Sequence, residues 1–204
     1  QALVQLKNCA ILHDDIKPDN ILIVDREWSN SRIKLGDFGS ACLVNQSAIT
    51  PYLVSRFYRA PEVILGMKYD FAIDVWSVGC TLYELYTGHI LFQSRDNNDQ
   101  LRCIMEYKGK ISNKMLNKCL LKEHHFDAQN RFLYRDGVDP ISGKLVIRTV
   151  EMPRKTKDLK TDLLNATVHV NEDERVRKQV VQLADLLERT FVIDPAKRIT
   201  AHRA

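Results

Sequence analysis

The sequence predicts a mainly α-helical fold with small β-hairpins. Three observations carry that expectation. Two stretches, Phe71 to Tyr86 and about Glu172 to Phe191, repeat apolar residues at the spacing that gathers them on one helix face. Two pairs of short apolar runs, each pair joined by a polar, turn-rich segment, read as antiparallel hairpins. The composition, 45% hydrophobic and 27% charged over 204 residues, is that of an ordinary globular domain. A chain of that length can bury roughly 70% of its unfolded surface.

Each element follows in order. Leu3, Leu6, Ala10 and Ile11 give residues 1–12 near-helical spacing, ending at the polar octapeptide His13-Asp14-Asp15-Ile16-Lys17-Pro18-Asp19-Asn20. Ile21 to Val24 and Ile33 to Leu35 form the first hairpin around a polar turn, Asp25 to Ser31. From Asp37-Phe38-Gly39 to Pro61 there is little periodicity, a loop of about twenty residues and long enough to be functional. Phe71, Val75, Val78, Leu82 and Leu85, widened by Trp76 and Cys80, then predict a deeply buried helix that Gly88 ends in the left-handed cap position. Residues 94–108 read as a further helix starting near Ser94. From Gly109 to about Leu164 the pattern loosens into an insertion, in which Phe132 to Tyr134 and Lys144 to Val150 form the second hairpin. Its lysines Lys110, Lys114, Lys118 and Lys122 are either a solvated surface or a docking face for an acidic partner. The last long helix carries Val176, Val180, Leu183, Leu187 and Phe191 on one face, with Asn171 and Glu174 spaced as a capping box. Gln1 to Leu6 read as mid-helix and Thr200 as the cap of another helix, so both ends look cut.

Composition excludes several classes. A net charge of +4 is too mild to argue for nucleic acid or a membrane surface. The longest apolar stretch, Val75 to Tyr86, is interrupted by Ser77, Thr81 and Glu84 and falls short of a membrane span. Five widely spaced cysteines (Cys9, Cys42, Cys80, Cys103 and Cys119) with no CxxC pair argue against a disulfide framework or zinc site. Each is expected to be a small apolar filler.

The octapeptide concentrates the chemistry: five ionisable side chains, a carboxamide and a proline beside an apolar strand. A hairpin sets its outer ends side by side, with strands ~4.8 Å apart. Asn20 enters the first strand and Asp37 follows the second, so their oxygens converge at one end. That pair suits Mg²⁺, which takes one or two protein oxygens and fills its other positions with water and phosphate.

His-x-Asp, a lysine two residues after that aspartate, an asparagine five after it, Asp37-Phe38-Gly39 behind a hairpin and Ala60-Pro61-Glu62 further on together resemble the eukaryotic protein kinase signature. The resemblance covers residues 1–204 as a kinase C-terminal lobe, α+β in the full domain, with the N-lobe absent. Tyr52 to Glu62 and an insertion at about 109–165 look like the CMGC group. Asp37 to Ala41, Thr50-Pro51-Tyr52 and Trp76 to Gly88 look closest to the pre-mRNA-processing, spliceosomal serine/threonine kinases. The dual-specificity tyrosine-regulated kinases are the nearest rival branch.

The resemblance implies roles for particular residues. Asp15 is then the catalytic base and Lys17 offsets charge on the transferring phosphoryl group. Asn20 and Asp37 hold Mg²⁺ against ATP, and Leu22 floors the adenine pocket. Ser55 bonds Asp15 or Lys17 and shapes the site for the residue after the phosphoacceptor, with proline fitting there. Glu62 and Arg198 form an ion pair, Asp74 accepts hydrogen bonds from the catalytic-loop backbone, and His13 and Phe38 pack in the active-state spine. Asp14 stands where the wider family has a phosphate-clamping arginine, a departure the spliceosomal branch shares. Control then passes through Tyr52, whose phosphate Arg56 and Arg59 would meet, unless Tyr52 simply packs on the loop. The implied function is ATP-dependent phosphorylation of serine or threonine in nuclear, spliceosomal protein substrates, with neither direct nucleic-acid nor membrane binding. The sequence has no Gly-rich loop, strand lysine or helix C glutamate, so the chain alone is expected to be inactive without its N-lobe. The alternative is a non-catalytic kinase lobe acting as a protein-interaction module.

Overall fold

The computed structural model describes residues 1–25, 32–46, 50–151, 155–166 and 173–204. The turn of the first hairpin and the capping candidate Asn171 lie outside them. Helix α1, Ala2–Asn8, leads into β1, Ile11–Leu12, and after the octapeptide come β2, Ile21–Ile23, and β3, Ile33–Leu35. Strand β4, Cys42–Leu43, precedes the short helix α2, Pro61–Ile64, and then α3, Ala72–Thr87, and α4, Asn97–Lys108. The insertion holds α5, Asn113–Leu116, β5, Phe132–Val138, β6, Leu145–Val150, and α6, Leu159–Asn165; α7, Glu174–Thr190, follows. The strands form three separate antiparallel pairs, β1 with β4, β2 with β3 and β5 with β6.

Both expected hairpins form, and β2–β3 pairs Ile21 with Leu35 and Ile23 with Ile33. The β1–β4 pair was not legible: two residues carry no alternation, and Leu12 opposite Cys42 is brought there by the fold. Within the insertion, α5 and α6 also escaped the periodicity. Each has a local cause, since Ser112 accepts from the Met115 N–H and Asp158 from the Thr161 N–H as N-caps.

Two helix starts are corrected. Helix α4 begins after Asp96, whose carboxylate accepts from the Asp99 N–H, while Ser94 instead donates to Gln100 Oε1 at 2.6 Å. Helix α7 begins after Asp173, which accepts from the Arg175 and Val176 N–H groups. The Thr200 carbonyl accepts from the Arg203 and Ala204 N–H groups, a single helical-type turn as expected there.

The buried face of α3 keeps Val75, Trp76 and Cys80 of the predicted stripe and departs from it elsewhere. Ile73, Trp76, Cys80 and Tyr83 are buried, together with Asp74, Ser77 and Thr81, whereas Leu85 is 61% exposed. Burial of the hydroxyls is possible because Ser77 donates to the Tyr58 and Ile73 carbonyls and Thr81 to the Ser77 carbonyl. Around Trp76 the core is aromatic, with Phe92 stacked at 5.6 Å and Phe191 edge-on at 5.1 Å between ring centres. Helix α7 crosses α3 at Gly79, where a Cβ would lie 2.5 Å from Thr190 Cγ2. Gly88 takes the left-handed cap, φ 75, and donates to the Glu84 carbonyl as expected.

Candidate active site

The octapeptide is pinned from below. Asp74, buried on α3, accepts from the backbone N–H of His13 at 2.9 Å and of Asp14 at 3.1 Å. Ile16, 1% exposed, anchors the loop in apolar surroundings, and the 3-10 turn Pro18–Asn20 carries it into β2. His13 Nδ1 accepts from the Asp15 N–H, so its Nε2 carries the proton and donates to the Gly36 carbonyl at 2.9 Å. Its ring meets Phe38 edge-on at 4.8 Å.

Asp15 then sits at the centre of a small polar network. Lys17 Nζ donates to its Oδ2 at 2.7 Å and to Ser55 Oγ at 3.1 Å; Ser55 Oγ donates to Asp15 Oδ1 at 2.7 Å. Asn20 Nδ2 donates to the Asp15 carbonyl at 2.7 Å and to Oδ2 at 3.2 Å. Partial burial pushes the Asp15 carboxyl up, but the bonds from Lys17 and Ser55 and the lysine's charge outweigh it and hold the group below its ordinary value. Asp15 is therefore a carboxylate at neutral pH, held from three sides.

At the hairpin end, the Gly36 N–H donates to the Asn20 carbonyl at 2.8 Å, which closes the strand ends together. Asp37 follows with φ 55, and the Gly39 N–H donates to its Oδ1. The Asn20 amide nitrogen is spent on Asp15, which leaves its oxygen as the atom that could meet a cation. Among the described residues no group of three or more His, Cys, Asp or Glu side chains gathers as a metal site. One carboxylate and one amide oxygen fit the sparse protein contribution that Mg²⁺ takes. Leu22 is 54% exposed on β2, its Cδ1 only 3.0 Å from where a Cβ on Gly36 would stand.

The loop's far end is tied down by arginines. Glu62 and Arg198, each wholly buried, meet through two bonds of 2.6 and 2.8 Å, and Arg198 also donates to the Ala72, Val192 and Ile193 carbonyls. Arg59 donates to the carbonyls of Tyr52, Leu53 and Val54 and to Asn97 Oδ1. Arg56 donates to the Ser94 and Arg95 carbonyls. The Tyr52 ring is 79% exposed. With Tyr52 unmodified, Arg56 and Arg59 donate to main-chain carbonyls, and Arg59 also to Asn97.

Residues 1–204 match the protein kinase domain family. The chain belongs to the protein kinase family. It is 46% identical over 203 residues to the serine/threonine-protein kinase prpf4B of Dictyostelium discoideum, covering 100% of this chain and 24% of that protein. Prp4 of Schizosaccharomyces pombe, a serine/threonine-protein kinase, is 46% identical over 198 residues, 97% of this chain and 40% of its own length. The DYRK-family kinase pom1 of the same yeast is 36% identical over 191 residues, 92% of this chain and 17% of its own. The chain thus spans well under half the length of these relatives.

Within the kinase frame, sequence reasoning missed two features. Cys42, taken as apolar filler, lies on β4 and donates to Asp14 Oδ2 at 3.2 Å. Asp14 is 1% exposed, sits at φ 66, and its Oδ1 has no partner. Burial first, then the charge of Asp74, lifts its carboxyl to about 6 against the Cys42 bond, and burial with the same two carboxylates lifts the Cys42 thiol to about 11. All five cysteines are free thiols, and Cys9 is exposed. The second is the pair Asn97 and Asn98 at the start of α4. Asn97 Nδ2 donates to the Pro51 carbonyl, while Asn98 donates to the Leu133 carbonyl and accepts from the Arg135 N–H. Two adjacent amides thus join the loop to the insertion; only tertiary placement gives them that role.

Proposed function

We propose that this chain is the C-terminal lobe of a serine/threonine kinase that transfers the γ-phosphoryl group of ATP to protein substrates, in nuclear pre-mRNA splicing. The observation that carries the reading is Asp15, ionised and oriented by Lys17, Ser55 and Asn20. A substrate hydroxyl seated at Asp15 would donate its proton to the carboxylate as its oxygen attacks the γ-phosphorus, while the bond to the bridging oxygen breaks and ADP leaves with that electron pair. Lys17 then stands beside the charge that develops on the phosphoryl oxygens. Asn20 and Asp37 are the residues that would hold Mg²⁺, which when bound neutralises charge on the phosphates. Phosphoryl transfer asks for positioning and charge more than covalent chemistry, and this site supplies both on rigid turns.

A covering N-lobe is supported by the apolar side chains around the site. Leu22 and Phe38 are exposed beside the hairpin end, apolar surface that a second layer would bury. Splicing is supported by the likeness to the prpf4B and Prp4 kinases and by the resemblance of Asp37 to Ala41 and Trp76 to Gly88 to the spliceosomal branch. Val54 supports a proline after the acceptor: at φ 66 its carbonyl is turned inward onto Arg59, at 2.7 Å from Nη2. A substrate N–H docked there finds no acceptor, and a proline has none to leave unsatisfied. Tyr52 phosphorylation completes the reading, its added charge drawing Arg56 or Arg59 off the main chain.

The test is Asp15→Asn in the full-length product, with Mg-ATP binding measured alongside. Loss of about 10²–10⁴-fold in kcat with ATP binding retained is the expected outcome. A wild-type protein that binds no Mg-ATP would replace this reading with the non-catalytic interaction module.

A further inference from the structure

The insertion hairpin has one covered edge and one open edge. On β5, the Leu133 N–H donates to the His125 carbonyl at 2.8 Å, the Leu133 carbonyl accepts from Asn98, and the Arg135 N–H donates to Asn98 Oδ1 at 3.0 Å. Leu133 and Arg135 therefore turn their backbone groups away from β6. They stand opposite Thr149 and Ile147, so these two residues turn their own N–H and C=O groups away from β5. Among the described residues none bonds to them. An open strand edge of this kind is a template for another strand unless charge, proline or a bulge blocks it.

This edge carries cations, Lys144 and Arg148, and β5 shifts register between Arg135 and Gly137, so it disfavours a like-charged strand while leaving room for an acidic one. Leu145 and Ile147 share a face with Val138 and are exposed at 49%, 55% and 62%. Lys144 and Arg148 lie on the other face. Residues 131–148 hold four cations and two carboxylates. Both carboxylates are already used: Asp136 pairs with Arg148, and Asp139 accepts from the Ile141 and Ser142 N–H groups within the turn. Lys144 and Arg135 have no ion-pair partner among the described residues. The edge thus offers backbone donors and acceptors, an apolar stripe and unspent positive charge.

The hairpin also reaches toward the candidate site. Asn98 holds β5 while its neighbour Asn97 holds Pro51 and Arg59, and Arg95 donates to Tyr134 Oη at 2.7 Å. Whatever adds to β6 is carried on the same α4 turn that supports the loop bearing Tyr52 and Ser55.

We propose that β6 is a docking edge for an acidic, extended segment of the protein substrate, which adds as a third strand with its apolar residues beside Leu145 and Ile147 and its carboxylates on the opposite face, toward Lys144. Main-chain bonds to Ile147 and Thr149 give affinity, and the charge gives the sign of the partner. The proposal deepens the kinase reading and rests on it for the word substrate, so binding is measured apart from turnover.

The probe is an eight-residue peptide alternating glutamate and valine, labelled for fluorescence anisotropy and titrated into the full-length protein without ATP. A control replaces glutamate with lysine. The same tails are then joined through a flexible Gly/Ser linker to one fixed acceptor peptide for kinetics. Expected are binding of the glutamate peptide that weakens with salt, no binding of the lysine control, and a KM lowered fivefold or more with kcat unchanged. Thr149→Pro removes the outward N–H without touching a bond to β5 and should abolish both effects; Thr149→Ala should keep them, and Lys144→Glu should weaken them severalfold. None of the three should alter turnover of the tail-less peptide. Binding that survives Thr149→Pro in a folded protein, binding without a KM advantage, or sedimentation showing the edge occupied by a second copy of the chain would each overturn the proposal. Absence of peptide binding by a kinase that still phosphorylates the tail-less acceptor would overturn it while leaving the kinase reading intact.

Discussion

Asp14 is the residue whose environment most contradicts its chemistry. A carboxyl that is 1% exposed, with one oxygen on a thiol and the other unbonded, keeps its proton to about pH 6 against an ordinary 3.8. The folded state therefore binds this proton more tightly than the unfolded state. Its stability is fullest below about pH 4, declines as pH rises toward 6, and is flat above. Asp14→Asn keeps an acceptor for Cys42 and removes the charge that faces Asp74. It should stabilise the protein at pH 7 by on the order of 2–3 kcal/mol, with the advantage gone near pH 4; urea melts of both proteins at the two pH values check this. Parallel pH dependence in both would contradict it. At the same scale, Arg59→Met frees the Val54 carbonyl. Discrimination between acceptor peptides with proline and with alanine after the acceptor, read as the ratio of kcat/KM values, should fall several-fold, because a substrate N–H then finds a partner.

At the scale of elements, the α3–α7 crossing depends on one missing methyl group. A Cβ at Gly79 would lie 2.5 Å from Thr190 Cγ2 and 2.9 Å from Phe191 Cε1, and both neighbours are buried in the aromatic core. Gly79→Ala gains helix propensity of roughly 1 kcal/mol, yet overpacking of a tight core costs typically 1–3 kcal/mol. The overlap decides the sign. The variant should melt lower than wild type despite its better helix former; a higher melting temperature would show that α7 shifts freely. The same helix departs from its apolar periodicity at Leu85, which is exposed while Val75, Trp76 and Cys80 are buried, because periodicity registers apolar residues and not what surrounds them. Ser77 and Thr81 were available for burial only because helix carbonyls satisfy their hydroxyls.

Over the whole molecule, Glu62 and Arg198 join chain segments 136 residues apart. Both are fully buried and Arg198 lies 4.9 Å above Trp76, so loss of either partner strands a charge in the core. Arg198→Ala should destabilise the fold by about 3–5 kcal/mol, and chemical denaturation with fluorescence of the Trp76 region reads it directly. Replacing the pair together by apolar residues should cost less than removing Arg198 alone, which separates the value of the pair from the penalty of an orphan.

The sequence by itself determined the candidate chemistry and the two hairpins. Asp15, Lys17, Asn20 and Asp37 stand at spacings a catalytic loop and a hairpin require, and Glu62 with Arg198 was legible because both sit in recognisable motifs. Local rules suffice there: alternation sets strands, glycine sets the α3 cap, and neighbouring residues in a tight turn must face one another. Only the tertiary structure decided what meets across distance. It turned Asp14 inward onto Cys42, spent Arg56 and Arg59 on carbonyls, and made Asn97 and Asn98 a joint between loop and insertion. It also left the β6 edge open. Those outcomes depend on which surfaces of separate elements are pressed together and desolvated, and the order of residues along a chain carries that information only through the completed fold.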